Sequence, residues 1–155
     1  YDEHTRAHLS YLLVELEQDK TAVSINILFS GTYFATSCKL IEFLKNNKID
    51  EVHHGDCVGA DKDFHDICTE NNIKIFIHPP INEKLRAFCK SDNILQPAEY
   101  LQRNKNIVDS TDMLIGFPND KQEKLHSGTW STVRYARKNK KQIYLIFPNG
   151  DISCE

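Results

Sequence analysis

Residues 51–80 read EVHHGDCVGADKDFHDICTENNIKIFIHPP, and the hydrophobic period changes twice within that stretch. Glu51–His54 reads as a brief strand ended by Gly55. Residues 60–71 then put Phe64, Ile67 and Cys68 on one helical face. Residues 73–77 are rich in β-branched side chains and stop at His78-Pro79-Pro80, where the prolines cannot continue a strand ladder. Strand, glycine turn, helix and strand in that order make a parallel βαβ unit.

The same alternation runs outward on both sides. Residues 25–29 are an apolar run ending in Ser30-Gly31-Thr32, and residues 36–47 place Leu40, Ile41, Phe43 and Leu44 at helical spacing. Downstream, an irregular stretch at 81–96 leads to a helix at 97–109 opened by Pro97. A strand at 113–117 and a helix at 129–139 follow, and a last strand at 143–147 closes on Pro148-Asn149-Gly150. Short apolar runs alternating with helices predict a parallel sheet of about five strands, in the order 3-2-1-4-5, covered on both faces in three α/β/α layers. Leu9, Leu12, Leu13 and Leu16 predict an extra amphipathic helix before the first strand, able to cap the sheet or to meet a partner copy in a homo-oligomer. One domain over 1–155 suffices, with 1–22 as a helical extension and 23–150 as the core.

Bulk properties narrow the function classes. A net charge of −3 gives no global attraction to nucleic acid or to an anionic membrane. The basic run Arg134, Arg137, Lys138, Lys140 and Lys141 falls at a predicted helix end, where cations complement the macrodipole. Five cysteines with no C-x-x-C spacing argue against a disulfide framework and for a reducing compartment, the cytoplasm by default. No run has the length of a membrane span.

In open α/β sheets, ligands sit outside the carboxyl ends of the strands, where the strand order reverses. Two turns at that edge share a tripeptide, Ser30-Gly31-Thr32 and Ser127-Gly128-Thr129, each followed by an aromatic, Tyr33 and Trp130. Glycine admits an anion close to the backbone, the next helix offers free N–H groups, and the aromatics would stack on a base. In the third turn, Gly55 and Gly59 shape a loop in which Asp56 or Asp61 would contact ribose. Arg103 would reach a phosphate, and Lys84 and Arg86 lie in the irregular stretch, which would fold over the site. The expected ligand is therefore a nucleotide-like small molecule, with no separate cofactor. His54-x-x-Cys57 and His65-x-x-Cys68 carry zinc-binding residue types. The first pair lies in a glycine turn, however, and the second shares a helix face with Phe64, so no metal is expected.

These stretches together resemble the SLOG superfamily of Rossmann-like domains, in its small YspA-like branch. The likeness rests on His54-Gly55-Asp56 through Gly59-Ala60-Asp61, His78-Pro79-Pro80, Arg103-Asn104 with Ile107-Val108-Asp109, Asp112-Met113-Leu114-Ile115, Ser127-Gly128-Thr129-Trp130 and Arg134-Tyr135-Ala136. The resemblance implies a Rossmann-like fold that binds nucleotides or their derivatives. Its relatives include LOG phosphoribohydrolases, and the C-terminal half is similar to nucleoside 2-deoxyribosyltransferases. Those enzymes carry G-T-x-x-Glu, whereas Thr132 stands at the glutamate position here, and a threonine supplies no carboxylate for N-glycosidic chemistry. The expectation is thus a domain that holds its ligand. Two alternatives stand beside it: an N-glycosidase acting on a nucleoside monophosphate with Asp56, Asp61 or Glu83 as the acid, and an interaction module with a vestigial site.

Overall fold

The computed structural model describes residues 22–26, 40–42, 44 and 49–155. Seven strands form one sheet: β1 (Ala22–Asn26), β2 (Glu51–His54), β3 (Lys74–Ile77), β4 (Asn93–Ile94), β5 (Met113–Gly116), β6 (Gln142–Ile146) and β7 (Ile152–Cys154). Three helices accompany them, α1 (Ala60–Glu70), α2 (Tyr100–Asp109) and α3 (Gly128–Lys138), and Leu40, Ile41, Glu42 and Leu44 are also helical.

The expected parallel sheet of about five strands is corrected. The order is β4-β3-β2-β1-β5-β6-β7, and the sheet is mixed, because β7 pairs antiparallel with β6. Neither added strand carries a readable period. Asn93–Ile94 is two residues long, and it becomes a strand only because Phe76 and Ile77 offer it a parallel edge. Residues 152–154 return along β6 after the Pro148-Asn149-Gly150 turn, where Gly150 adopts φ 89°. The first strand begins at Ala22 rather than residue 25.

Period-two alternation divides the strands between two apolar clusters. Met113, Ile115, Tyr144 and Ile146 join Val52, Ile75 and Ile77 under Phe64 and Cys68 of α1, with Leu40 and Leu44. Leu114, Ile143 and Leu145 point the other way, onto Val108 of α2 and Trp130, Val133 and Ala136 of α3. α2 starts at Tyr100 rather than residue 97 because the backbone at Ala98 is engaged elsewhere. The Ala98 N–H donates to Pro79 O (3.2 Å), and Ala98 O accepts from the Ile81 N–H (3.1 Å). Among the described residues no helix is long and apolar enough to cross a membrane. The expected N-terminal helix and the tripeptide Ser30-Gly31-Thr32 with Tyr33 lie outside the described residues.

Candidate functional site

The sheet order turns at β1, which has β2 on one side and β5 on the other. Beside that point the chain leaves β2 through residues 55–59 and enters α1. Each step of this loop has a visible cause. Asp56 sits in the left-handed region (φ 59°), which aspartate tolerates better than most residues. Gly59 adopts φ 93° and ψ −127°, a conformation open to glycine alone, and its carbonyl accepts from the Asp63 N–H (3.0 Å) to start the helix. The Cys57 N–H donates to Asp61 Oδ2 (2.9 Å), so Asp61 closes the loop from within the first helical turn.

Arg103 braces the loop from α2. It is 3% exposed, and its Nη1 donates to Gly55 O. Both terminal nitrogens also lie against Cys57 Sγ (3.7 and 3.9 Å), while the guanidinium faces the Tyr100 ring at 4.8 Å. The group expected to clamp a phosphate is thus largely engaged within the protein.

Asp56 ties the loop to the irregular segment. Its Oδ2 accepts from Arg86 Nε (2.8 Å), its Oδ1 from the Cys89 N–H (2.9 Å) and its carbonyl from the Ala87 N–H (2.7 Å). A further strap joins the Val58 N–H to Leu85 O (2.9 Å). Asp56 is fully buried, and both carboxylate oxygens are occupied.

Asp61 differs. Among the described residues its Oδ1 is buried without a well-aligned hydrogen-bond partner. Burial pushes its carboxyl up to about 6, outweighing the Cys57 and Gly55 N–H groups and the Arg103 charge. Folded Asp61 therefore holds its proton to higher pH than the unfolded chain does. Its contribution to stability is fully present below about pH 4 and is lost as pH rises towards 6, a loss of about 3 kcal/mol. An Asp61→Asn variant should gain stability over the parent between about pH 4 and 6, and the gain should level off above. Urea midpoints measured across that range check this, and a constant difference between the two proteins would refute it.

Among the described residues, four more buried polar atoms beside Asp61 make no well-aligned hydrogen bond: Tyr100 Oη, Arg103 Nε, and both Nδ2 and Oδ1 of Asn104. Tyr100 lies beside the Asn104 carboxamide and near the Arg103 and Asp61 charges, and burial pushes its phenol up to about 12. Native proteins leave few such atoms unmatched, so a concentration of them marks a place where another polar group belongs. Asn104 and Tyr100 were not among the expected contacts. A signal was present, since Arg103, Asn104, Ile107 and Val108 have the i, i+1, i+4, i+5 spacing of one buried helix face.

The second Ser-Gly-Thr stands at the start of α3. Ser127 caps the helix by accepting from the Trp130 N–H (3.3 Å), and Thr129 is buried. Trp130 packs in the apolar cluster with Leu114 and Val133 rather than beside the 55–59 loop. Thr132 donates from Oγ1 to Gly128 O (3.0 Å), satisfying its hydroxyl within the helix.

Histidines line the neighbouring interior. A ring nitrogen of His54, one of His65 and Cys89 Sγ lie within 4.8 Å of one another, a different set from the two H-x-x-C pairs in the sequence. The Asp56 N–H donates to His54 Nδ1 (3.0 Å), and burial holds His54 neutral, lowering it to about 3. The ring must then carry its proton on Nε2, which donates to His65 Nδ1 (3.0 Å). A metal at this place would need the Nε2 lone pair that this tautomer lacks. The trio is a hydrogen-bonded polar core. Burial pushes the Cys89 thiol up to about 12.

No protein-family model and no curated protein matches the chain. Among solved structures, it is similar to a molybdenum cofactor binding protein from the phototrophic bacterium Rippkaea orientalis. The TM-score is 0.62 at 18% identity, over 84% of this chain and 78% of that one. The two chains share a fold. At that identity the likeness speaks to architecture and not to chemistry.

Proposed function

We propose that this protein binds a nucleotide or nucleotide-derived small molecule at the carboxyl edge of its sheet, between the 55–61 loop, the first turns of α2 and the start of α3. One observation carries the reading: among the described residues, five buried polar atoms without well-aligned hydrogen bonds gather on Asp61, Tyr100, Arg103 and Asn104 beside the glycine loop. The resemblance of the sequence motifs to the SLOG superfamily agrees with it, and the structurally similar protein is described as binding a cofactor. Gly55 and Gly59 shape the loop, and Arg103 holds it in place. Ser127, Gly128 and Thr129 would meet the anionic part of the ligand at the positive end of the α3 dipole.

Thermal unfolding with AMP, ADP-ribose, NAD and cyclic nucleotides tests this reading. A true ligand at a hundred times its Kd should stabilise the protein by about 2.7 kcal/mol, a shift of several degrees. Absence of a shift with the whole panel would remove the reading.

Asp61 also favours a second reading, as the acid of an N-glycosidase. A carboxyl that titrates near 6 and keeps one oxygen unpaired is suited to protonate a leaving base. Release of free base from AMP or CMP, abolished in Asp61→Asn, would support it. Release that persists in that variant would exclude Asp61.

A further inference from the structure

We infer that the polar cluster formed by Asp61, Tyr100, Arg103 and Asn104 receives the uncharged heterocyclic edge of the ligand, a nucleobase-type ring, and not its phosphate. This inference rests on the binding reading above and states which part of the ligand enters which part of the site.

The inventory of unmatched atoms decides between the two ends of a nucleotide. A phosphate asks for several donors and net positive charge. Here the positive group is already occupied, because Arg103 Nη1 donates to Gly55 O and both terminal nitrogens touch Cys57 Sγ. Only its Nε lacks a partner. A carboxylate oxygen, Asp61 Oδ1, sits in the same group and would repel a phosphate dianion once ionised. The remaining atoms can both give and take: a phenol hydroxyl at Tyr100 and, next to it, a carboxamide at Asn104 whose two donors and one acceptor the phenol alone does not fill.

A neutral ring that carries N–H beside C=O or ring nitrogen matches that set. Its N–H would donate to Asp61 Oδ1, and its carbonyl or ring nitrogen would accept from Asn104 Nδ2. Arg103, Asn104 and Asp61 are 3%, 2% and 3% exposed, so bonds formed here are shielded from water and discriminate strongly between matched and mismatched edges.

The experiment measures Kd by calorimetry for guanosine, inosine, adenosine and cytidine, for their 5′-monophosphates, and for ribose 5-phosphate as the base-free probe. Two variants are compared with the parent: Asn104→Leu, which keeps the volume and removes every polar atom, and Asp61→Asn, which keeps the shape and turns an acceptor into a donor. Asn104→Leu should weaken the preferred nucleoside and its monophosphate by about tenfold or more while leaving ribose 5-phosphate unchanged. Asp61→Asn should alter the rank order among the four nucleosides. Without ligand, Asn104→Leu should melt at or above the parent temperature, because an apolar side chain suits an unmatched polar position.

Equal weakening of ribose 5-phosphate in Asn104→Leu would overturn the inference in favour of a phosphate site. Unchanged affinities in both variants would overturn it in favour of buried water satisfying these atoms. Both of those results leave the binding reading standing. Silence of the parent protein towards every compound overturns the two together.

Discussion

Gly55→Ala is expected to destabilise the fold by about 3–5 kcal/mol, a cost usually reserved for breaking a buried charge pair. A Cβ at this position would lie 1.9 Å from Arg103 Nη1 and 2.5 Å from its Cζ, so the guanidinium has to leave. It has no cheap route out, since the side chain is 3% exposed and lodged between Gly55 O, Cys57 Sγ and the Tyr100 ring. Displacement leaves a buried cation short of partners and Gly55 O without its donor. The urea midpoint should fall with an unchanged denaturant slope. Adding Arg103→Met to Gly55→Ala should recover part of the loss, because the uncharged side chain bends aside without stranding a charge. A loss under about 1 kcal/mol in the single variant would mean that Arg103 relocates freely and does not brace the loop.

Asp56→Ala should cost a similar amount, about 3–5 kcal/mol, by a different route. The carboxylate is completely buried and joins Arg86 Nε and the Cys89 N–H to a loop thirty-odd residues away in sequence. Its loss strands the buried Cys89 amide and frees Arg86, whose side chain is 15% exposed and keeps, among the described residues, Glu83 as an ionic partner. Alanine is also less at ease at φ 59°. Asp56→Asn should lose less, because asparagine tolerates that backbone and keeps an acceptor for Cys89. Limited proteolysis should find residues 81–92 cut early in Asp56→Ala. Equal stability of the Ala and Asn variants would show that the ion pair and the amide bond contribute little.

Part of the site was readable in the chain. The glycines of the 55–59 loop, the buried face of α1 and the central strands follow from spacing, because side chains two or four residues apart share a face whatever the rest of the protein does. Asp56 and Asp61, by contrast, look equivalent in the sequence. Five residues apart in one glycine-bearing loop, they carry the same chemistry until their surroundings are known. Arg86 and Cys89 occupy one, and burial leaves an oxygen of the other unmatched. Trp130 follows Ser-Gly-Thr and so invites a stacking role, yet its position at the third residue of α3 turns it onto Leu114 and Val133.

The alternation of strands and helices and the glycine turn at 55–59 were legible along the chain, since these depend on local period and on backbone angles that only glycine or an aspartate accepts readily. The tertiary structure alone decided the edge strands β4 and β7, the histidine tautomer that withholds Nε2 from a metal, and the placing of Arg103 against Gly55, 48 residues away. Hydrogen bonds and burial across such distances depend on which elements pack together, and no spacing along the chain encodes that.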